Sequence, residues 1–296
     1  TGKRNEKVPT ILGHEVCGNV VQFGPEAPTA DLRGSTLHIG DRVTWAIYAC
    51  SPDSARARAR MPQKAPDLFK YGHERLGEHS SFHGGLAEFT VLRRYTPLLR
   101  VHDTVPDQIA ACINCAFATI AGALRLLGDL RGQRVLISGA GMLGTVACAM
   151  AKTAGAMTVV AADTNAERAN RAIRFGADHA LVLHAEGPTR AEGTATQFQD
   201  LLACQCVLEC SGSPVAMETT LQALDIGGTA VWVGAVHPMR AVRIDAQQLV
   251  RNLWTLRGLH NYNDQDFLAA VNFLERHHDR YPFLELIEDR FTLMEA

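Results

Sequence analysis

The chain has 296 residues, 47% of them hydrophobic and 20% charged, and a formal charge of -2. At roughly 150 residues per domain this is room for two domains with sizeable cores, and the composition excludes a disordered tail, a collagen-like repeat and a coiled coil. A near-neutral charge excludes the one-signed field that nucleic acid or an anionic membrane would need, and no uncharged apolar run reaches the ~20 residues of a membrane helix. Neither kind of partner is expected.

Residues 1–115 are rich in Gly, His and Pro, with short β-type runs: GNVVQFG, DRVTWAIY and AEFTVL. Turn residues separate the runs, which predicts an irregular β-rich domain. Inside it, Ser51 to Arg60 (SPDSARARAR) reads as a solvated loop or a short surface helix. A nucleic-acid patch would interleave aromatic residues with the arginines, and this segment has none.

Residues 116–258 alternate strand and helix. RVLISG is a buried strand and MLGTVACAMAKTAGA a helix of small residues; TVVAAD and NAERANRAIRFGA repeat the pair. HALVL, CQCVLECSG and TAVWVGA continue as strands, and WTLRGL adds another, either internal or at a subunit interface. This alternation predicts parallel βαβ units in a doubly wound sheet, an α/β fold. From 259 to 296 the chain carries one amphipathic helix, DFLAAVNFLERHH.

Gly139-Ala-Gly-Met-Leu-Gly144 follows strand RVLIS and opens a helix, and Asp163 ends the next strand. In that setting G-x-G-x-x-G is a dinucleotide fingerprint. Gly139 serves the tight turn, Gly141 the approach of backbone to pyrophosphate and Gly144 the close packing of helix on strand. Met142 and Leu143 open the helix, whose free N–H groups and dipole suit phosphate. Asp163 is placed to accept from the adenosine ribose hydroxyls, and its charge repels a 2'-phosphate, so NAD is expected over NADP. Arg168 lies close enough in sequence to blur that preference.

The eight cysteines do not form a secreted-type framework, and several lie in apolar runs. Most read as buried small hydrophobes in a reducing, cytoplasmic compartment. Cys112-Ile-Asn-Cys115 could be a redox C-x-x-C, but it follows no thioredoxin-like strand. Cys204, Cys206 and Cys210 alternate along one strand, where packing outweighs metal binding.

Leu12-Gly-His-Glu15, Gly40-Asp-Arg-Val43, Gly84-Gly-Leu-Ala-Glu-Phe89 and Cys115, in that order before Gly139, resemble the zinc-containing medium-chain alcohol dehydrogenases. ECSGSP and GGTAVWVG fit the same family's later Rossmann strands. The resemblance runs over nearly the whole chain. It implies a GroES-like β-rich catalytic domain over 1–115, a Rossmann NAD-binding domain over 116–258 and a return to the catalytic domain over 259–296. It makes His14 and Cys115 ligands of a catalytic zinc, with Glu15 as an alternate carboxylate ligand. Imidazole and thiolate suit zinc, and a catalytic site leaves a position open.

The resemblance also implies departures. The family's first ligand Cys, with the Ser or Thr that relays the substrate proton, belongs upstream of Thr1, so the chain is expected to be a fragment, shortened at both ends. Cys17, three residues after His14, is a poor substitute. In the structural-zinc lobe only Cys50 remains, so one catalytic zinc and no structural zinc are expected.

Met61-Pro-Gln-Lys64, Lys70-Tyr-Gly-His-Glu74 and Arg257-Gly-Leu-His-Asn-Tyr262 resemble the branch associated with phosphonate catabolism. Lys70 and Arg93 are candidates for holding an anionic substrate group. His73 and His83 read as surface or supporting histidines, with a place in the active-site cleft as the alternative. The leading reading is an NAD-dependent zinc alcohol dehydrogenase acting on a small alcohol or carbonyl, in a dimer or tetramer. The alternatives are an NAD(P)H-dependent reductase of an activated C=C bond of the cyclitol enone type and a catalytically inactive dinucleotide binder.

Overall fold

The computed structural model describes residues 7–77, 81–183 and 203–295. The chain divides into two compact units: residues 1–119 together with 261–296, and residues 120–260.

In the first unit, β1 (Gly18–Asn19), β2 (Arg42–Trp45) and β5 (Leu98–Arg100) form an antiparallel sheet in the order β1-β2-β5, and β3 (Tyr48–Ala49) pairs with β4 (Phe69–Lys70). The strands are short, and their inward residues Val43, Trp45, Phe69 and Leu98 gather with Val16, Leu37 and Tyr71 in one core. The arginine-rich segment makes only a four-residue surface helix, α1 (Ala55–Arg58). AEFTVL is not a strand. Its Phe89 and Val91 are exposed, and Val91 N bonds Phe82 O across a local turn instead of entering a ladder.

From residue 107 the backbone is helical through α2 (Asp107–Ala110), a π-helical turn over Ile113–Phe117 and α3 (Ala118–Leu127). The run over 107–127 is long and apolar enough to cross a membrane, but 72% of its most apolar window is buried inside the molecule. A core helix passes that test as readily as a membrane span.

The second unit is built on a six-stranded sheet. Its strands are β6 (Arg134–Ser138), β7 (Thr158–Asp163), β8 (His179–Val182), β9 (Cys204–Glu209), β10 (Leu224–Trp232) and β11 (Thr255–Gly258). Every pairing is parallel, in the order β11-β10-β9-β6-β7-β8. This is the doubly wound order, with its switch point between β6 and β9. Val135, Ile137, Val159 and Val160 are fully buried, as strands covered on both faces require.

Among the described residues, these strands are accompanied by the helices α4 (Met142–Thr153), α5 (Ala166–Arg171), α6 (Pro214–Leu221) and α7 (Ala246–Arg251). The small residues Ala147, Ala149 and Ala151 of α4 are buried. The segment predicted as one helix over 165–177 ends in a 3-10 turn at Ala172–Phe175, stopped by Gly176 in the left-handed region. β10 starts five residues earlier than TAVWVGA, at Leu224, with a register shift before Thr229.

The segment over 261–296 completes the first unit. Helix α8 (Asp264–His277) opens with a capping box of Asn263 and Asp266 and packs against the π-helical turn. Phe117 meets Phe273 and Phe283 there. The Ile47 N–H donates to the fully buried Tyr262 hydroxyl at 3.0 Å, and the Tyr48 hydroxyl donates to Asp264 at 2.6 Å.

Candidate functional site

The glycine-rich turn leaves β6 at the centre of the sheet. Gly139 has φ 90°, a region open to glycine, and its N–H donates to Ala162 O at 2.7 Å. A side chain at Gly144 would overlap the Gly139 carbonyl, so the helix can start this close to the strand only with glycine there. Gly141 caps α4 and has open space where a side chain would stand. Met142 and Leu143 form the first turn and are part-exposed. The start of α4 thus offers unpaired backbone donors to an anion.

Asp163 ends β7 as the spacing predicts. One carboxylate oxygen accepts the Ala140 N–H at 2.7 Å, and the other accepts the Asn165 N–H at 2.8 Å. The carboxylate therefore ties the glycine-rich turn to the start of α5, and each oxygen keeps a second lone pair. Arg168 lies on α5 with an exposed side chain; its backbone N–H is taken by the Asn165 cap.

The other cluster lies in the first unit. Residues 11–14, 71–73 and 83–86 cross with glycine at each close approach. Gly13 has φ 94°, its carbonyl accepts the Gly85 N–H at 2.7 Å, and side chains at Gly72 or Gly84 would strike backbone at Gly13 or Ile11. That weave fixes His14. Asn114, fully buried in the π-helical turn, donates to His14 O and Trp45 O at 2.7 Å each. The His14 ring lies against His73, centroids 5.1 Å apart.

One residue on, Glu15 accepts a hydrogen bond from the Cys115 thiol. Burial raises the Glu15 pKa, and the thiol contact pulls it back. Burial and then the Glu15 charge push the Cys115 thiol up to about 12, while Lys70 pulls it down. Both values are thus shifted upward, toward the protonated form. A thiol and a carboxylate in contact, with an imidazole on the neighbouring residue, are donor chemistry that suits zinc, and a divalent cation would favour the ionised thiol and carboxylate. Among the described residues, no group of three or more His, Cys, Asp or Glu side chains is arranged to hold a metal. The structure brings Glu15 and Cys115 together and turns the His14 ring to His73.

Cys17 lies against Arg42. Cys50 is a free thiol pushed up to about 11 by burial, with Asp67 and Asp264 adding to it. Cys112 donates to Gln108 O, so it does not pair with Cys115. His83 is buried edge-on to Phe69 and both its ring nitrogens lack a partner, so it is not a surface residue. The Arg93 guanidinium stacks on Phe69 at 4.0 Å. Asn114 escapes a sequence reading because its contacts span 100 and 69 residues; its structural flags are the π-helical turn, frequent at functional sites, and a buried Oδ1 without a hydrogen-bond partner.

Residues 1–103 match the alcohol dehydrogenase GroES-like domain, and residues 143–276 match the zinc-binding dehydrogenase family. An L-threonine 3-dehydrogenase from Pectobacterium carotovorum is 30% identical over 230 residues, 78% of this chain and 61% of that protein. An acryloyl-coenzyme A reductase from Sulfurisphaera tokodaii is 31% identical over 234 residues, 78% of this chain and 62% of that protein. The chain thus spans about three fifths of the length of these relatives. The crystal structure of an alcohol dehydrogenase from Thermotoga maritima superposes with a TM-score of 0.89 at 24% identity, covering 98% of this chain and 80% of that one, a likeness of fold. The two matched domains, one in each unit, together support the zinc-type medium-chain alcohol dehydrogenase family.

Proposed function

We propose that the chain serves an NAD-dependent alcohol dehydrogenase with one catalytic zinc and no structural zinc. The observation that carries this reading is the hydrogen-bonded Glu15–Cys115 pair beside His14, an exposed carboxylate on a half-buried thiol. His14 and Cys115 would hold the zinc, with Glu15 as the alternate carboxylate. A zinc ion held there would supply a Lewis acid that lowers the pKa of a bound alcohol toward ~7.

The chain's own residues do the rest. Asn114 and the glycine weave hold His14 in place. Lys70 favours the ionised Cys115. Gly139, Gly141, Met142, Leu143 and Gly144 shape a phosphate seat at the start of α4. Asp163 orients the turn and favours a free ribose 2'-hydroxyl, with Arg168 close by. The substrate is a small alcohol or its carbonyl, and oxidation removes a hydride from the carbinol carbon. Lys70 beside the site suits a substrate carrying an anionic group, in keeping with a role in phosphonate metabolism. We further propose a reducing, cytoplasmic compartment, supported by eight free thiols, and a dimer or tetramer.

The test is elemental analysis of the purified chain together with NAD reduction at 340 nm over a panel of alcohols. One zinc per chain, lost in Cys115→Ser, supports the reading. A Cys115→Ser protein that keeps its zinc would refute the ligand assignment. Tight NADH binding with no zinc would favour the inactive-binder reading.

The likeness to an acryloyl-coenzyme A reductase favours a second reading, an NAD(P)H-dependent reductase of an activated C=C bond. Zinc-independent consumption of NADPH with an enone or enoyl thioester would favour it.

A further inference from the structure

We propose that Glu209 is a positioning residue for the nucleotide site. Its carboxylate locks the 210–213 loop against the glycine-rich turn and so shapes the crevice at the sheet's switch point. This rests on the reading of the second unit as a dinucleotide binder.

Glu209 ends β9, is fully buried and takes no part in the proposed chemistry. One carboxylate oxygen accepts the Ser211 N–H at 2.8 Å and also the Ser211 hydroxyl. The Gly212 N–H lies 3.1 Å from each oxygen. Two consecutive amides and a hydroxyl thus turn inward on one carboxylate. The same residue's carbonyl accepts the Val233 N–H at 2.9 Å and the Gly234 N–H at 3.2 Å. Glu209 therefore ties together the two loops that follow β9 and β10.

Those loops touch each other and the glycine-rich turn backbone to backbone. A side chain at Gly139 would come within 2.7 Å of Ser211 N and 2.9 Å of its Cα. One at Gly234 would reach the Gly212 Cα at 2.8 Å, and Gly212 itself has φ 71°. The Cys210 N–H donates to Ser138 O, the residue before the turn, at 2.8 Å. With no side chains between them, movement of 210–213 passes directly to Gly139. β6 and β9 flank the switch point, where ligands of open α/β sheets bind.

A buried carboxylate is a costly way to hold a loop. Burial is the largest influence on Glu209 and raises its pKa, while the three donors lower it. A polar group kept at such a cost is a candidate for function over stability.

The experiment uses the full chain and three proteins: wild type, Glu209→Gln and Glu209→Asp. Gln keeps the volume but presents an N–H where Gly212 needs an acceptor; Asp keeps the charge but draws it back by one methylene. NADH affinity is read by fluorescence titration, loop order by amide exchange and folding by the thermal midpoint. Expected are an NADH Kd about tenfold higher in Glu209→Gln, a smaller rise in Glu209→Asp, and faster exchange at 210–213, with melting little changed. Wild-type affinity in both folded variants overturns the proposal. A lowered midpoint with unchanged affinity in the folded fraction marks a structural role and overturns it as well. Failure of the wild type to bind NADH or NADPH removes the dinucleotide reading itself, and the proposal falls with it.

Discussion

Asp163 serves two ends at once. Its position at the end of β7 is legible from spacing alone, because the fingerprint is local and the strand that carries it is short and apolar. Its grip on Ala140 and Asn165 is not, since hydrogen bonds of this kind leave no mark on composition. Replacing Asp163 with Ser should shift cofactor preference toward NADP, through loss of the charge that repels a 2'-phosphate. It should also weaken both cofactors, because the Ala140 N–H loses its acceptor. The ratio of kcat/KM for NAD and NADP checks the first effect, and an unchanged ratio would count against the assignment. Cys115 and His14 are readable only through an ordered set of motifs. Asn114, which anchors the His14 backbone, and His73, which packs on its ring, come together through the fold across long stretches of chain. Replacing Asn114 with Ala leaves the buried Trp45 carbonyl and the half-buried His14 carbonyl without this donor, a loss of about 1–3 kcal/mol for the buried one and less for the other. Denaturant unfolding would measure it, and wild-type stability would contradict the buried network.

Helices and strands of the second unit are the best-read elements. Their hydrophobic runs are continuous, and the helix after β6 is dictated by its glycines. Gly144→Ala should destabilise that unit by roughly 1–3 kcal/mol, since the added methyl overlaps the Gly139 carbonyl. A thermal midpoint equal to wild type would refute that packing. The first unit is harder to read because its strands run to only two to four residues, too short for alternation to show. AEFTVL has the composition of a strand, but two of its large side chains are exposed. A charge pair also acts at this scale. Glu218 on α6 accepts from Arg240 and from the Arg243 N–H, which pull its pKa down to about 2. A depressed carboxylate contributes stability above its unfolded pKa of about 4.5, and that contribution is lost as pH falls toward 2. Arg240→Ala should therefore flatten the stability-versus-pH curve between those values, and equal acid sensitivity in both proteins would refute it.

Across the molecule, the two units differ in how the chain makes them. One is continuous, 120–260; the other joins 1–119 to 261–296. Ending the chain at residue 260 would remove Tyr262, Phe267, Phe273 and Phe283, all buried in the first unit. At ~1.5–3 kcal/mol for each such side chain, the loss rivals the ~5–15 kcal/mol that holds a typical domain. Such a truncated protein should keep amide protection in β6, β7 and β9 and lose it in β2 and β5. Protection retained in both sheets would refute the dependence. The seat of α8 on the π-helical turn also sets a timetable for biosynthesis. The ribosome must add the 141 residues 120–260 before the partner of that turn begins to emerge. At ~5–20 residues per second this is a wait of roughly 7–28 s. Through that interval the aromatic face of the turn stays uncovered while residues 120–260 are free to fold, so the discontinuous unit is expected to close after the continuous one.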